Sequence, residues 1–69
     1  MSAVTSDPSI FGGKPCIAGR RITVAHILRC LGAGWSVDDL CREYHLTQGQ
    51  VRGALTWAGD LLYWDHGAG

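Results

Sequence analysis

Two helix starts with the same capping pattern follow one another between Trp35 and Val51, and few arrangements of a short chain accommodate them both. In Trp35-Ser36-Val37-Asp38-Asp39-Leu40, Ser36 is placed as N-cap, Asp39 stands at the third helical position, and Trp35 can staple onto Leu40. In Leu46-Thr47-Gln48-Gly49-Gln50-Val51 the same roles fall to Thr47, Gln50 and the pair Leu46 and Val51. A cap fixes where a helix begins, and a staple fixes the angle at which the chain enters it. The pattern predicts a helix from about Val37 to about Tyr44, a connector of Tyr44, His45 and Leu46, and a longer helix starting just after Thr47. A short helix, a tight turn and a second capped helix make a helix-turn-helix. A plain antiparallel helical hairpin is the alternative.

The helix-turn-helix needs a preceding helix to complete its core, and the sequence supplies one. Thr23 is a plausible N-cap, and Val24, Ile27, Leu28 and Leu31 form a stripe at helical spacing. Gly32 and Gly34 offer the left-handed geometry that ends such a helix. The second helix brings Val37, Leu40, Cys41 and Tyr44 to the same core, and the third brings Val51, Ala54, Leu55, Ala58 and Leu62. The expected fold is mainly α: three helices in homeodomain-like helix-turn-helix order, preceded by a short β-hairpin.

At 69 residues the chain makes one domain, with an arm over 1–23, the three-helix core over 24–64 and a flexible tail over 65–69. A domain of this size gains little from its core alone and usually leans on a staple, a metal or a partner. Three cysteines without paired spacing, and no apolar or basic leader over 1–9, point to the reducing cytoplasm. No apolar run is long enough to span a bilayer.

Net charge is zero, but the charges are segregated. Residues 1–35 carry Lys14, Arg20, Arg21 and Arg29 against Asp7, a balance of +3. Residues 36–69 carry Arg42 and Arg52 against Asp38, Asp39, Glu43, Asp60 and Asp65, a balance of −3. Such a chain suits head-to-tail contact or a charged protein partner. It suits DNA poorly, since a specific binder contacts about six to ten phosphates. The chain has six basic residues in all, with only Arg52 on the third helix, and a dimer would double the count.

In the first third, Val4 and Thr5 can begin a strand that Asp7-Pro8 ends. Cys16-Ile17-Ala18 and Arg21-Ile22-Thr23 flank Gly19-Arg20 as the arms of a hairpin. An exposed edge there invites pairing with a second copy, so Val4, Thr5 and Ile17 are candidate dimer residues.

The run Thr5-Ser6-Asp7-Pro8-Ser9-Ile10-Phe11-Gly12-Gly13-Lys14-Pro15-Cys16-Ile17-Ala18-Gly19-Arg20-Arg21-Ile22-Thr23-Val24 also resembles the signature of a short prokaryotic family of formally unknown function. That family typically reads D-P-x-I-L-G-G-K-P-x-I-x-G-T-R-I-P-V at this point. The similarity continues through Gly34-Trp35-Ser36-Val37, Tyr44, Leu46-Thr47 and Val51-Arg52-Gly53-Ala54-Leu55. The resemblance implies a homeodomain-like three-helix domain and a role as a VapB-type antitoxin, often beside a PIN-like ribonuclease. This chain departs from the pattern with Arg20 for Thr, Thr23 for Pro and Gly53 for Ala. Gly53 lowers helix propensity by about 1 kcal/mol relative to Ala and would permit the close approach of a neighbour.

Other constellations carry less. Gly12-Gly13-Lys14 lacks the spacing, the following Ser or Thr and the strand-to-helix context of a phosphate loop, and reads as a turn. His26 with Cys30, and Cys41 with His45, stand four apart, a spacing compatible with a Cys2His2 zinc site. Buried apolar cysteines and surface histidines are the simpler reading, so no metal or other cofactor is expected. Cys16, Cys30 or Cys41 beside a histidine would offer a nucleophile and base, but so short a chain can hardly wall off a pocket for a small-molecule substrate. No enzymatic activity is expected.

Trp57, Leu61 and Trp64 recur at i, i+4, i+7 on the third helix, to one side of its core stripe. They either cap the open end of the core or form a protein interface, where aromatic anchors dominate. The leading functional expectation is an antitoxin-like, homodimeric protein that holds a PIN-like ribonuclease through this face and the tail. A DNA-binding regulator is the second, reading operator DNA with Gln48, Gln50, Arg52 and Thr56 and holding phosphates with Lys14, Arg20 and Arg21. A purely structural homo-oligomer is the third.

Overall fold

Side-chain caps set the start of all three helices. The structure is a computed structural model that describes residues 3–65, and for Trp64 and Asp65 the backbone alone. Its elements are β1 (Val4–Thr5), β2 (Cys16–Ile17), α1 (Val24–Gly32), α2 (Val37–Tyr44) and α3 (Gln48–Asp65), with a 3-10 turn over Phe11–Gly13. At α1 the His26 amide donates to Thr23 Oγ1 over 3.1 Å. At α2 the Asp39 amide donates to Ser36 Oγ over 3.0 Å, and the Ser36 amide to Asp39 Oδ2 over 2.9 Å. The same reciprocal box opens α3, where the Gln50 amide donates to Thr47 Oγ1 and the Thr47 amide to Gln50 Oε1. Donation from the Ser36 amide, with smaller help from Arg42, holds the Asp39 carboxyl below its ordinary value.

The turn between α2 and α3 is made by His45, a left-handed residue at φ 54° whose amide bonds back to the Cys41 carbonyl. Histidine is among the non-glycine residues that enter this region most readily. At the end of α1, Gly34 takes the left-handed conformation at φ 102°, whereas Gly32 is still helical, so one glycine rather than two ends the helix.

The arm differs from the expected hairpin. β1 pairs with β2 in antiparallel register, Val4 opposite Ile17 and Thr5 opposite Cys16. The segment after the Gly19 turn contributes one bridge, Cys16 with Thr23, supported by the Ile17 amide on the Ile22 carbonyl. Short as it is, β2 is therefore flanked by its own chain on both sides. Ile17 points into the core at 1% exposure.

That core joins Ile17, Ile27, Leu40 and Val51, all fully buried, with Ile22, Val24, Cys30, Leu46, Ala54 and Ala58 around them. Leu28 and Leu62, expected in the core, are exposed instead. Both stand at a groove between α1 and the end of α3 rather than in the packed core. Trp35 stacks on Tyr44 with ring centres 6.1 Å apart, closing the α2 side.

Gly53 has a packing role. A Cβ built at Gly53 would lie 2.8 Å from the Ala3 Cβ, so the missing methyl lets the start of the arm lie against α3. Gly53→Ala should therefore fail to deliver the gain of about 1 kcal/mol that helix propensity alone promises. Thermal melts should show that gain appearing when Ala3→Gly is added. A full gain from Gly53→Ala alone would contradict the contact.

Candidate protein-binding groove

α3 is longer than the body beneath it. Its buried residues, Val51, Ala54 and Ala58, face the core over the first three turns, and none of those described after Ala58 is buried. Leu61 and Leu62 continue on the core side of the helix, at the helical angles of Ala54 and Val51, but are 49% and 54% exposed. The last turns thus overhang the domain.

Beneath the overhang lies a groove of about 290 Å³. Trp57, Ala58, Leu61 and Leu62 form its α3 wall, and Val24, Ala25 and Leu28 form the α1 wall. Pro15, Thr23 and Lys14 close one side, and the lysine is the ionisable residue of the lining. Val24 and Ala58 make a buried floor, while Leu28, at 39% exposure, stands up at the rim. Uncovered apolar surface concentrated in one hollow is the ordinary mark of a protein contact.

Of the expected ridge, Trp57 is half-buried and packs against the core, whereas Leu61 is open to solvent. Trp64 belongs to α3, but its side chain lies outside the described residues, as does the tail at 66–69. Val4 is half-buried and Thr5 exposed, beside the buried Ile17.

The residues weighed for DNA do not all remain free to read it. Gln50 is committed to the α3 capping box, and Gln48 Nε2 donates to Asp38 Oδ1 over 3.0 Å. Arg52 and Thr56 are exposed on α3. Arg20 and Arg21 are exposed at the turn after β2, and Lys14 sits at the groove. Asp38 places a carboxylate beside the start of α3, which repels any phosphate approaching there.

His26, Cys30 and Tyr44 come together where α1 meets α2. His26 Nε2 lies 2.7 Å from Tyr44 Oη and 3.6 Å from Cys30 Sγ, and the His26 ring meets the Tyr44 ring edge-on. Partial burial, with the Cys30 thiol close by, raises the Tyr44 hydroxyl above its ordinary value, so it remains a neutral phenol. The thiol is buried at 8% exposure beneath this pair. The trio works as a clasp between the two helices. Among the described residues no three of His, Cys, Asp and Glu converge on a point where a metal ion would sit.

A family model described as a protein of unknown function, DUF433, matches residues 4–58, and the chain belongs to that family. No curated protein matches the chain, and no solved structure does. No helix among the described residues is long and apolar enough to cross a membrane.

Trp57 and Leu61 both line the groove, and Leu28, Leu62 and Pro15, which the sequence did not mark as their neighbours, line it with them. Leu28 and Leu62 were read as core because each continues an apolar stripe, and the pattern of a stripe does not say where the opposing surface ends. Two substitutions separate the core end of the groove from its open end. Trp57→Ala should lower stability by about 2 kcal/mol, less than the ~3–5 of a fully buried tryptophan. Leu61→Ala should change it by no more than about 0.5 kcal/mol. Equal losses at the two positions in thermal melts would mean that the groove is closed in the free domain.

Proposed function

We propose that this chain is an antitoxin-like binding module of the VapB type, pairing with a PIN-like ribonuclease through the groove between α1 and the overhanging end of α3. The observation that carries the reading is the overhang: a helix that continues for more than a turn past its own core with Leu61 and Leu62 exposed. The exposed part of this helix end adds little to its own domain and gains most against another surface. The groove offers an apolar floor, walls of aliphatic residues and Trp57, and one cation, which suits a helix or loop of a folded partner. Its chemistry is that of binding, not of turnover.

The stand-alone DNA regulator has less beneath it. Gln48 and Gln50 are engaged within the chain, leaving Arg52 and Thr56 as the free side chains among the four residues weighed for base reading. Asp38 adds a repelling charge beside them.

Co-expression with the product of the adjacent gene, which on this reading is a PIN-like ribonuclease, tests the proposal. The two proteins should copurify, and ribonuclease activity should fall in the complex. Leu62→Asp should weaken the complex by about thirtyfold, the size of a lost anchor of about 2 kcal/mol, while the circular dichroism spectrum stays helical. A ribonuclease that is neither bound nor inhibited, or one held equally well by the variant, would overturn it.

A further inference from the structure

Two neighbouring hollows share Arg21 as a common wall. The first, of about 270 Å³, has Phe11, Arg21, His26 and Tyr44 in its lining. The second, of about 240 Å³, lies among Ile10, Ile17, Arg20 and Arg21. Thr23 is the one residue that either hollow shares with the protein-binding groove. We propose that this second face binds single-stranded nucleic acid, taking a base against Phe11 in the first hollow and the adjoining phosphates on Arg20 and Arg21.

The aromatic half of the site is built into the arm. Phe11 is 44% exposed and sits on a backbone at φ 50°. A bulky side chain rarely takes that left-handed conformation. Here the turn imposes it. The Gly13 amide donates to the Ile10 carbonyl over 3.0 Å, the Lys14 amide to the Phe11 carbonyl over 3.3 Å, and the Ser6 hydroxyl to the Gly13 carbonyl. Core packing does not account for a phenyl ring at an exposed, strained position, and such positions gather at ligand sites. Tyr44 lines the same hollow, held by the 2.7 Å bond between its hydroxyl and His26 Nε2. Aromatic side chains on so small a hollow suit one flat ring, and stacking of this kind accepts any base.

The arginines supply the phosphate half. Arg20 and Arg21 are exposed after the Gly19 turn, and neither is ion-paired among the described residues, where Arg42 pairs with Asp39. Among the described residues no Asp or Glu lines either hollow. Glu43, whose charge Tyr44 feels, lines a different hollow beside Trp35. The Asp7 carboxylate is taken up by the amide and hydroxyl of Ser9. A cation shared by two hollows suits a ligand that alternates ring and phosphate. An acidic peptide would use the arginines and leave the aromatic hollow without a flat partner. A duplex keeps its bases stacked inside and would meet the arginines alone.

Fluorescence anisotropy of the full chain with a labelled oligoadenylate of about ten nucleotides, a length within the site sizes of such platforms, tests the proposal at low salt. The strand should bind weakly, and log affinity should fall against log salt with a slope of about −1.4, the value for two phosphate contacts. Arg20→Ala and Arg21→Ala should each flatten that slope by about 0.7. Phe11→Ala should weaken binding about tenfold, and Phe11→Trp should restore it, both with unchanged helical circular dichroism. Adenosine monophosphate and polyglutamate should compete far less well than unlabelled strand. A strand that is not bound, binding that survives Phe11→Ala, equal competition by either competitor, or tighter binding of a duplex of the same length overturns the proposal. If Phe11→Ala does not fold, salt slopes unchanged in the arginine variants overturn it. Leu62→Asp should leave strand binding intact, so failure here and failure of the ribonuclease reading are seen separately.

Discussion

The packing of one face of α3 holds the domain together. Val51, Ala54 and Ala58 bring together Ile17 from the arm, Ile27 from α1 and Leu40 from α2, and none of these elements is large enough to bury its own apolar side. The two alanines keep the helix close to the sheet and to α1, and Gly53 extends the close approach to Ala3. The caps then serve the packing. Thr47 and Gln50 fix where α3 begins, and left-handed His45 fixes its direction relative to α2. With the start of α3 fixed and its first three turns clamped, the length of the helix alone decides how far it reaches beyond the body.

That reach connects fold to function. A helix stopping at Ala58 would leave a small, closed three-helix domain with little to offer a partner. Continuing to Asp65, α3 carries Leu61 and Leu62 past the last core layer and roofs a groove whose other wall is the solvent side of α1. The cost is apolar surface in water, and the reading that a partner covers it follows from that cost. The His26, Cys30 and Tyr44 clasp satisfies its own polar atoms, and the start of α3 is tied to Asp38 and to its own cap.

The caps were legible in the sequence because they are local. Ser36 with Asp39 and Thr47 with Gln50 need only three residues of separation to be recognised, and the helices they open begin where the spacing placed them. The three-helix order and the antiparallel arm were legible for a similar reason. What sequence could not give was partner choice at a distance. Val4 and Thr5 pair across the Phe11 turn with Cys16 and Ile17, while the residues around Gly19 make a single bridge, a choice set by the floor that α3 supplies. Leu28 and Leu62 fit the core stripe of their helices as well as Ile27 and Val51 do. Only the three-dimensional extent of the body separates them.

Native-state hydrogen exchange along α3 tests most directly whether the helix outruns its own core and is covered there from outside. The amides from Val51 to Ala58 should exchange only through global opening, at a protection independent of protein concentration. Those of Leu61, Leu62 and Tyr63 should be weakly protected in the free chain and slow markedly as a binding partner is added. Protection of Leu61 to Tyr63 at the level of the core in the free chain, or weak protection that no partner alters, would contradict this account.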